Sequence, residues 1–158
     1  MKTMKILLAS DGSAAALSAA DWINQHMDPQ RVQIIVATVM QPPSIAWTGM
    51  SGLSVDISSS REIWEESWDN AHRQANAVLN STRNRLPRFS SVTEKILTGP
   101  PAAAIVQYAK QAGVEMVVMG RRGHSMLGNL IGSVSFGVLQ RAEIPVTIIE
   151  GRMRANPS

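Results

Sequence analysis

The stretch of this chain best suited to chemistry is Met119-Gly120-Arg121-Arg122-Gly123-His124-Ser125-Met126-Leu127-Gly128-Asn129-Leu130-Ile131-Gly132-Ser133-Val134-Ser135. Four glycines let backbone N–H groups approach an oxyanion closely. Ser133 and Ser135 stand where a helix is expected to begin, and a helix start offers free N–H groups and the positive end of its dipole. Arg121 and Arg122 add charge, and His124 is a further candidate donor. The chemistry implied is the holding of phosphate-like anions. A structural loop with a capping serine is the alternative. Two standard phosphate loops are excluded. GxxxxGK[ST] is absent, and no GxGxxG with a downstream acid follows the first apolar run.

A second cluster is Ser10-Asp11-Gly12-Ser13. Asp11 can accept a hydrogen bond from an exocyclic amine, and it also suits a turn. Ser13 reads as a helix N-cap. His26, His72 and His124 are widely separated, so no metal site is expected. With no cysteines, thiol nucleophiles, disulfides and cysteine-zinc sites are excluded. Glu62, Glu65, Glu66 and Asp69 read as an acidic helix start rather than a paired acid and base. No catalytic residue is identified.

These residues need elements to position them. Lys5–Ala9, Val32–Met40, Ser91–Leu97, Val114–Met119 and Val146–Glu150 read as strands. Helices are expected from Ala14 to about Met27, from about Ser60 to Leu86, from Pro101 to about Gln111, and from about Ser133 to Arg141. On the long second helix, Trp64, Trp68, Ala71, Ala75, Val78 and Leu79 recur at helical spacing and define one buried stripe. Residues 41–59 read as a long loop carrying Trp47 and Leu53. The strands are mostly continuous apolar runs rather than alternating ones, so helices should cover both faces. Strictly alternating β and α elements then give a doubly wound parallel α/β sheet. Ligands bind such sheets beyond the carboxyl ends of the strands, where both clusters fall.

Composition bounds the rest. The 158 residues make one domain, taken as residues 1–150, with 151–158 as a disordered tail. No apolar run is long enough for a membrane span, and the N-terminus reads as a first strand rather than a signal, so a cytoplasmic setting is expected. The net charge of +3 suits an anionic ligand. Charge is too diffuse, and four Trp, one Tyr and two Phe too few, for nucleic acid.

Three segments, ILLASDGS, TGPPAAAIVQYAKQAGVEMVVMGRRG and GSVSFGVLQRAEIPVTII, resemble the universal stress protein family. The resemblance covers about residues 4–150. The family's ATP-binding branch carries Gly, two residues, Gly, nine residues, Gly and then Ser or Thr. Gly120, Gly123 and Gly132-Ser133 match, with eight residues, His124–Ile131, in the second gap.

The resemblance implies a five-stranded parallel sheet in order 3-2-1-4-5. It implies ATP or another adenine nucleotide as ligand, with Mg²⁺ arriving on the nucleotide. Ala9 and Asp11 would meet the adenine end, and Val39 would pack on the base. Met119 and Gly120 would border the ribose, and Gly123, Gly132, Ser133, Val134 and Ser135 would hold the phosphates. A homodimer would form through the last strand, at Val146 and Ile148. The expected role is regulatory in stress response, with hydrolysis absent or slow, since no lysine lies in the glycine segment. A dimeric adaptor of the same fold without nucleotide is the alternative. An adenylating enzyme ranks lower, because the place after the first strand holds only Ser10–Ser13.

Overall fold

The computed structural model describes residues 2–42, 57–121 and 131–151. The elements run β1 (Met4–Ala9), α1 (Ala14–His26), β2 (Val32–Met40), α2 (Ile57–Arg83), β3 (Val92–Thr98), α3 (Pro101–Gln111), β4 (Met116–Gly120), α4 (Ser133–Arg141) and β5 (Val146–Ile149). All five strands are parallel and lie in the order β3-β2-β1-β4-β5.

Successive side chains on a strand point to opposite faces. The apolar runs therefore divide between two cores. Ile6, Leu8, Ile34, Val36, Met116 and Val118 face Ala19, Ala20 and Ile23 of α1 and Leu79 of α2. Leu7, Ala9, Ile35, Ala37, Val117 and Met119 face Ile105 and Ala109 of α3 and Val138 of α4. Each fully buried Ile, Leu or Val contributes about 1.5–3 kcal/mol, which is why apolar residues fill both faces of the central strands, with Lys5, Gln33 and Thr38 the polar exceptions. The edge strand β3 differs: Thr93, Glu94 and Lys95 are exposed.

Helix ends follow their local chemistry. Ser13 caps α1, accepting from the Ala16 N–H at 3.3 Å. Pro100 and Pro101 open α3, where missing N–H groups cost nothing. Gly113, at φ 64°, lets the chain leave α3 in the left-handed conformation. Glu115 ties the start of β4 to β1, accepting from Lys2 Nζ at 2.8 Å and from the Lys5 N–H at 3.1 Å. The Lys2 hydrogen bond, then the Lys5 N–H, hold the Glu115 carboxyl below its ordinary pKa.

The second helix departs from its expected form. It begins at Ile57 and ends at Arg83, so Leu86 packs into the core from the turn beyond it. The expected stripe is buried only at Ala75 and Leu79; Ala71, Val78 and Trp68 are half-buried, and Trp64 is 37% exposed. Twenty-seven helical residues span roughly 40 Å, whereas even the nine-residue β2 spans roughly 30 Å. The sheet cannot cover the whole helix. Trp64 instead meets Trp68 edge-on at 6.1 Å. The acidic cluster also falls outside the first turn, which holds no acidic residue, so dipole complementarity does not explain it. Most of the expected 41–59 loop, with Trp47, lies outside the described residues, as do residues 152–158. Among the described residues no helix is long and apolar enough to cross a membrane.

Gly120 closes β4 directly on the backbone of α1. A methyl group there would stand 2.6 Å from the Ala15 carbonyl carbon and 2.7 Å from the Ala16 nitrogen. Gly120→Ala should lower unfolding stability in urea by about 1–3 kcal/mol, the usual cost of overpacking. An unchanged midpoint and slope would show that this contact relaxes freely.

Candidate functional site

β1 is followed by β2 and then β3 to one side, while β4 and β5 lie to the other. The winding therefore reverses between β1 and β4, and a crevice opens beyond their carboxyl ends. Two structures bound it: the turn after β1 and the start of α4 after β4.

The turn grows out of Ala9, which pairs with Ala37 on one side and Met119 on the other. The Ser10 N–H continues the ladder to the Ala37 carbonyl at 2.9 Å. The chain then bends. Gly12 takes φ 77°, a left-handed conformation that glycine adopts without strain. Its N–H donates to Ser10 Oγ at 3.2 Å, and the Ser13 N–H donates to Asp11 Oδ1 at 3.0 Å. This is an Asx turn leading into the Ser13 cap. Asp11 itself is exposed at the crevice.

The start of α4 is fixed to the same rim. The Gly132 N–H donates to the Arg121 carbonyl at 2.8 Å, and the Arg121 N–H donates to the Ile149 carbonyl at 2.8 Å. The Ser135 hydroxyl, buried, donates to the Gly120 carbonyl at 2.9 Å. Arg121 also pairs with Glu150 at 3.3 Å. Gly132 is the N-cap and makes no side-chain capping bond. The N–H groups of Ser133, Val134 and Ser135 precede the first in-helix bond, which runs from Phe136 to Gly132. Three donors and the positive end of the helix dipole are thus presented together, suited to an anion.

The remaining expected residues can be placed against this frame. Ala9, Val39 and Met119 belong to the same face of the sheet, the one that packs on α3 and α4. Since Ala9 pairs with Ala37, Val39 stands two residues past the end of β1 and walls the crevice. Gly120 follows Met119 and pairs with Ile149. Gly132 and Ser133 open α4, Ser133 exposed and Val134 half-buried. Gly123, with Arg122 and His124, lies outside the described residues. Gly132 has φ −65°, ψ 153°, extended backbone open to any residue, so left-handed freedom is not what glycine supplies there.

Two residues were not singled out by sequence reasoning. Gly12 holds the left-handed turn, a role its place between Asp11 and Ser13 could have suggested. Thr82 meets Ser10 at 2.8 Å across 72 residues, and no local pattern signals that pairing. A separate cleft of about 280 Å³, lined by Val106, Val114, Arg141 and Ile144 among others, lies at the opposite, amino-terminal end of β4 and β5. It touches none of these residues. Among the described residues no three His, Asp or Glu gather as metal ligands.

Comparison with known proteins gives a family for the sequence and a shared fold for the structure. The model of the universal stress protein family matches residues 2–150. Universal stress protein YxiE of Bacillus subtilis is 26% identical over 147 residues, covering 92% of this chain and 97% of its own. Mycobacterial relatives are longer; the chain spans about half the length of universal stress protein Mb2019 of Mycobacterium bovis, at 29% identity. Among solved structures, a universal stress protein in complex with cAMP superposes with a TM-score of 0.66 at 22% identity, covering 96% of this chain and 100% of the other. An Arabidopsis thaliana family member with AMP bound gives 0.64 at 18% identity, covering 98% and 96%. At those identities the likeness establishes the fold.

The Ser135 hydroxyl holds the start of α4 to the end of β4. Ser135→Ala would leave the buried Gly120 carbonyl without this donor and should lower unfolding stability by about 1–3 kcal/mol. Urea unfolding checks this; stability equal to the unaltered chain would show that the bond contributes nothing.

Proposed function

This chain belongs to the universal stress protein family, and from that premise we propose that it is a regulatory protein that binds an adenine nucleotide in the crevice between β1 and β4. The observation that carries the reading is the uncapped start of α4, where the N–H groups of Ser133, Val134 and Ser135 face the same crevice as the Asp11 turn. Family relatives of the same fold bind cAMP and AMP, which supports an adenine ligand.

In this reading Asp11 accepts from the adenine amine, and Ala9 and Val39 pack on the base. Met119 and Gly120 border the ribose. Gly123, Gly132, Ser133, Val134 and Ser135 hold the phosphates. Ser135 does so through its N–H, because its hydroxyl proton is committed to Gly120. Mg²⁺, where ATP is the ligand, comes with the phosphates. The nucleotide acts as a ligand that sets conformation or assembly in the stress response, and any hydrolysis is slow. The outer strand β5 offers an edge for pairing with a second copy, with Val146 and Ile148 on it.

An added negative charge at the helix start separates binding from folding. Ser133 is exposed, and an aspartate there complements the helix dipole, so Ser133→Asp should keep or slightly raise the melting temperature. The same charge repels phosphate. In isothermal titration the unaltered chain should bind ATP saturably, and Ser133→Asp should bind at least about ten-fold more weakly, roughly 1.4 kcal/mol. No saturable heat from the unaltered chain at millimolar ATP, or equal affinity in the variant, refutes the assignment.

A further inference from the structure

The turn that presents Asp11 is braced from below by α2. Thr82 is fully buried, and its hydroxyl donates to the Val78 carbonyl at 2.8 Å. A threonine hydroxyl has one hydrogen, so in its 2.8 Å contact with Ser10 it can only accept. Ser10 Oγ therefore donates to Thr82, and its lone pairs face the Gly12 N–H at 3.2 Å. Every proton is assigned: Gly12 N–H to Ser10, Ser10 to Thr82, Thr82 to the Val78 carbonyl. The turn also passes close over the same helical segment: a methyl group on Gly12 would stand 3.1 Å from Val78 Cγ2.

We propose that Thr82 is a positioning residue for the nucleotide's adenine end, acting through Ser10 and Gly12 to hold the Asp11 turn in its binding geometry. The proposal rests on the nucleotide reading above. Thr82 touches no ligand. It supplies a buried acceptor at a fixed height on α2. Without that acceptor, Ser10 Oγ–H is left buried and unpaired. Ser10 then turns toward another acceptor, the Gly12 N–H loses its partner, and the turn loosens one residue from Asp11. Ser10 is 94% buried by the same packing, its exposure being only 6%, so water does not easily replace the missing acceptor.

The test compares the unaltered chain with Thr82→Val, which keeps the side-chain shape, and Thr82→Ser, which keeps the hydroxyl. Amide exchange at Gly12 is read by NMR without nucleotide, and ATP affinity by titration calorimetry. Thr82→Val should speed Gly12 exchange at least about ten-fold and weaken ATP by about the same factor, a change of roughly 1.4 kcal/mol. Thr82→Ser should restore both to within about two- to three-fold. Unchanged Gly12 exchange, unchanged ATP affinity in folded Thr82→Val, or no rescue by serine overturns the proposal. Failure of the unaltered chain to bind ATP refutes the nucleotide reading and the affinity claim together. It is told apart from failure of the brace alone, because the exchange rates are read without nucleotide.

Discussion

The crevice depends on how closely the end of β4 can approach the start of α1. Gly120 and Gly151 both lie against Ala15, so closely that a methyl group on either would stand within 3 Å of it. Two strand ends are thereby seated against one helix start. This contact brings Ser13 and the Asp11 turn, which precede α1, beside the Arg121 carbonyl that receives α4. A side chain at Gly120 would push β4 and α1 apart, and the two halves of the crevice would separate. Glycine's value here is its missing side chain; Gly120 is not among the left-handed glycines.

Polar groups at the rim are arranged around that contact. Ser10 is satisfied by Thr82, and the Gly120 carbonyl by Ser135. Among the described residues no buried side-chain nitrogen or oxygen lacks a partner. Against that background the start of α4 is conspicuous for its chemistry. Serine caps α1, but glycine stands at the cap of α4 and contributes no side-chain bond. A cap there would occupy the N–H groups that an anion needs. The same type of helix end is thus sealed in one place and left receptive in the other.

Much of this was legible in the sequence. Val32–Met40 and Ser133–Arg141 were readable to the residue, because a β-branched run ending before Pro42 and a glycine-serine helix start are local signals. Ser13 was readable as a cap for the same reason. The strand order came from the family resemblance, since alternating elements give a parallel sheet without its order. What could not be read depends on distance in space. Helical spacing showed that Trp64 and Leu79 share a stripe, but it says nothing about where the sheet ends beneath them. Trp64 therefore lies beyond the cover that Leu79 receives. The pairing of Ser10 with Thr82 joins residues 72 apart and follows only once α2 is laid across the end of β1.

The central claim is that an adenine nucleotide lies across this crevice with its phosphates on the start of α4. The most direct measurement is a titration of isotope-labelled protein with ATP, followed by amide shifts in NMR. The account predicts saturable shifts concentrated at Asp11, Gly12 and Ser13 and at Ser133, Val134 and Ser135, with a single affinity. Saturable shifts confined to the distant cleft at Val106, Val114 and Ile144, or no shifts at millimolar ATP, would contradict it.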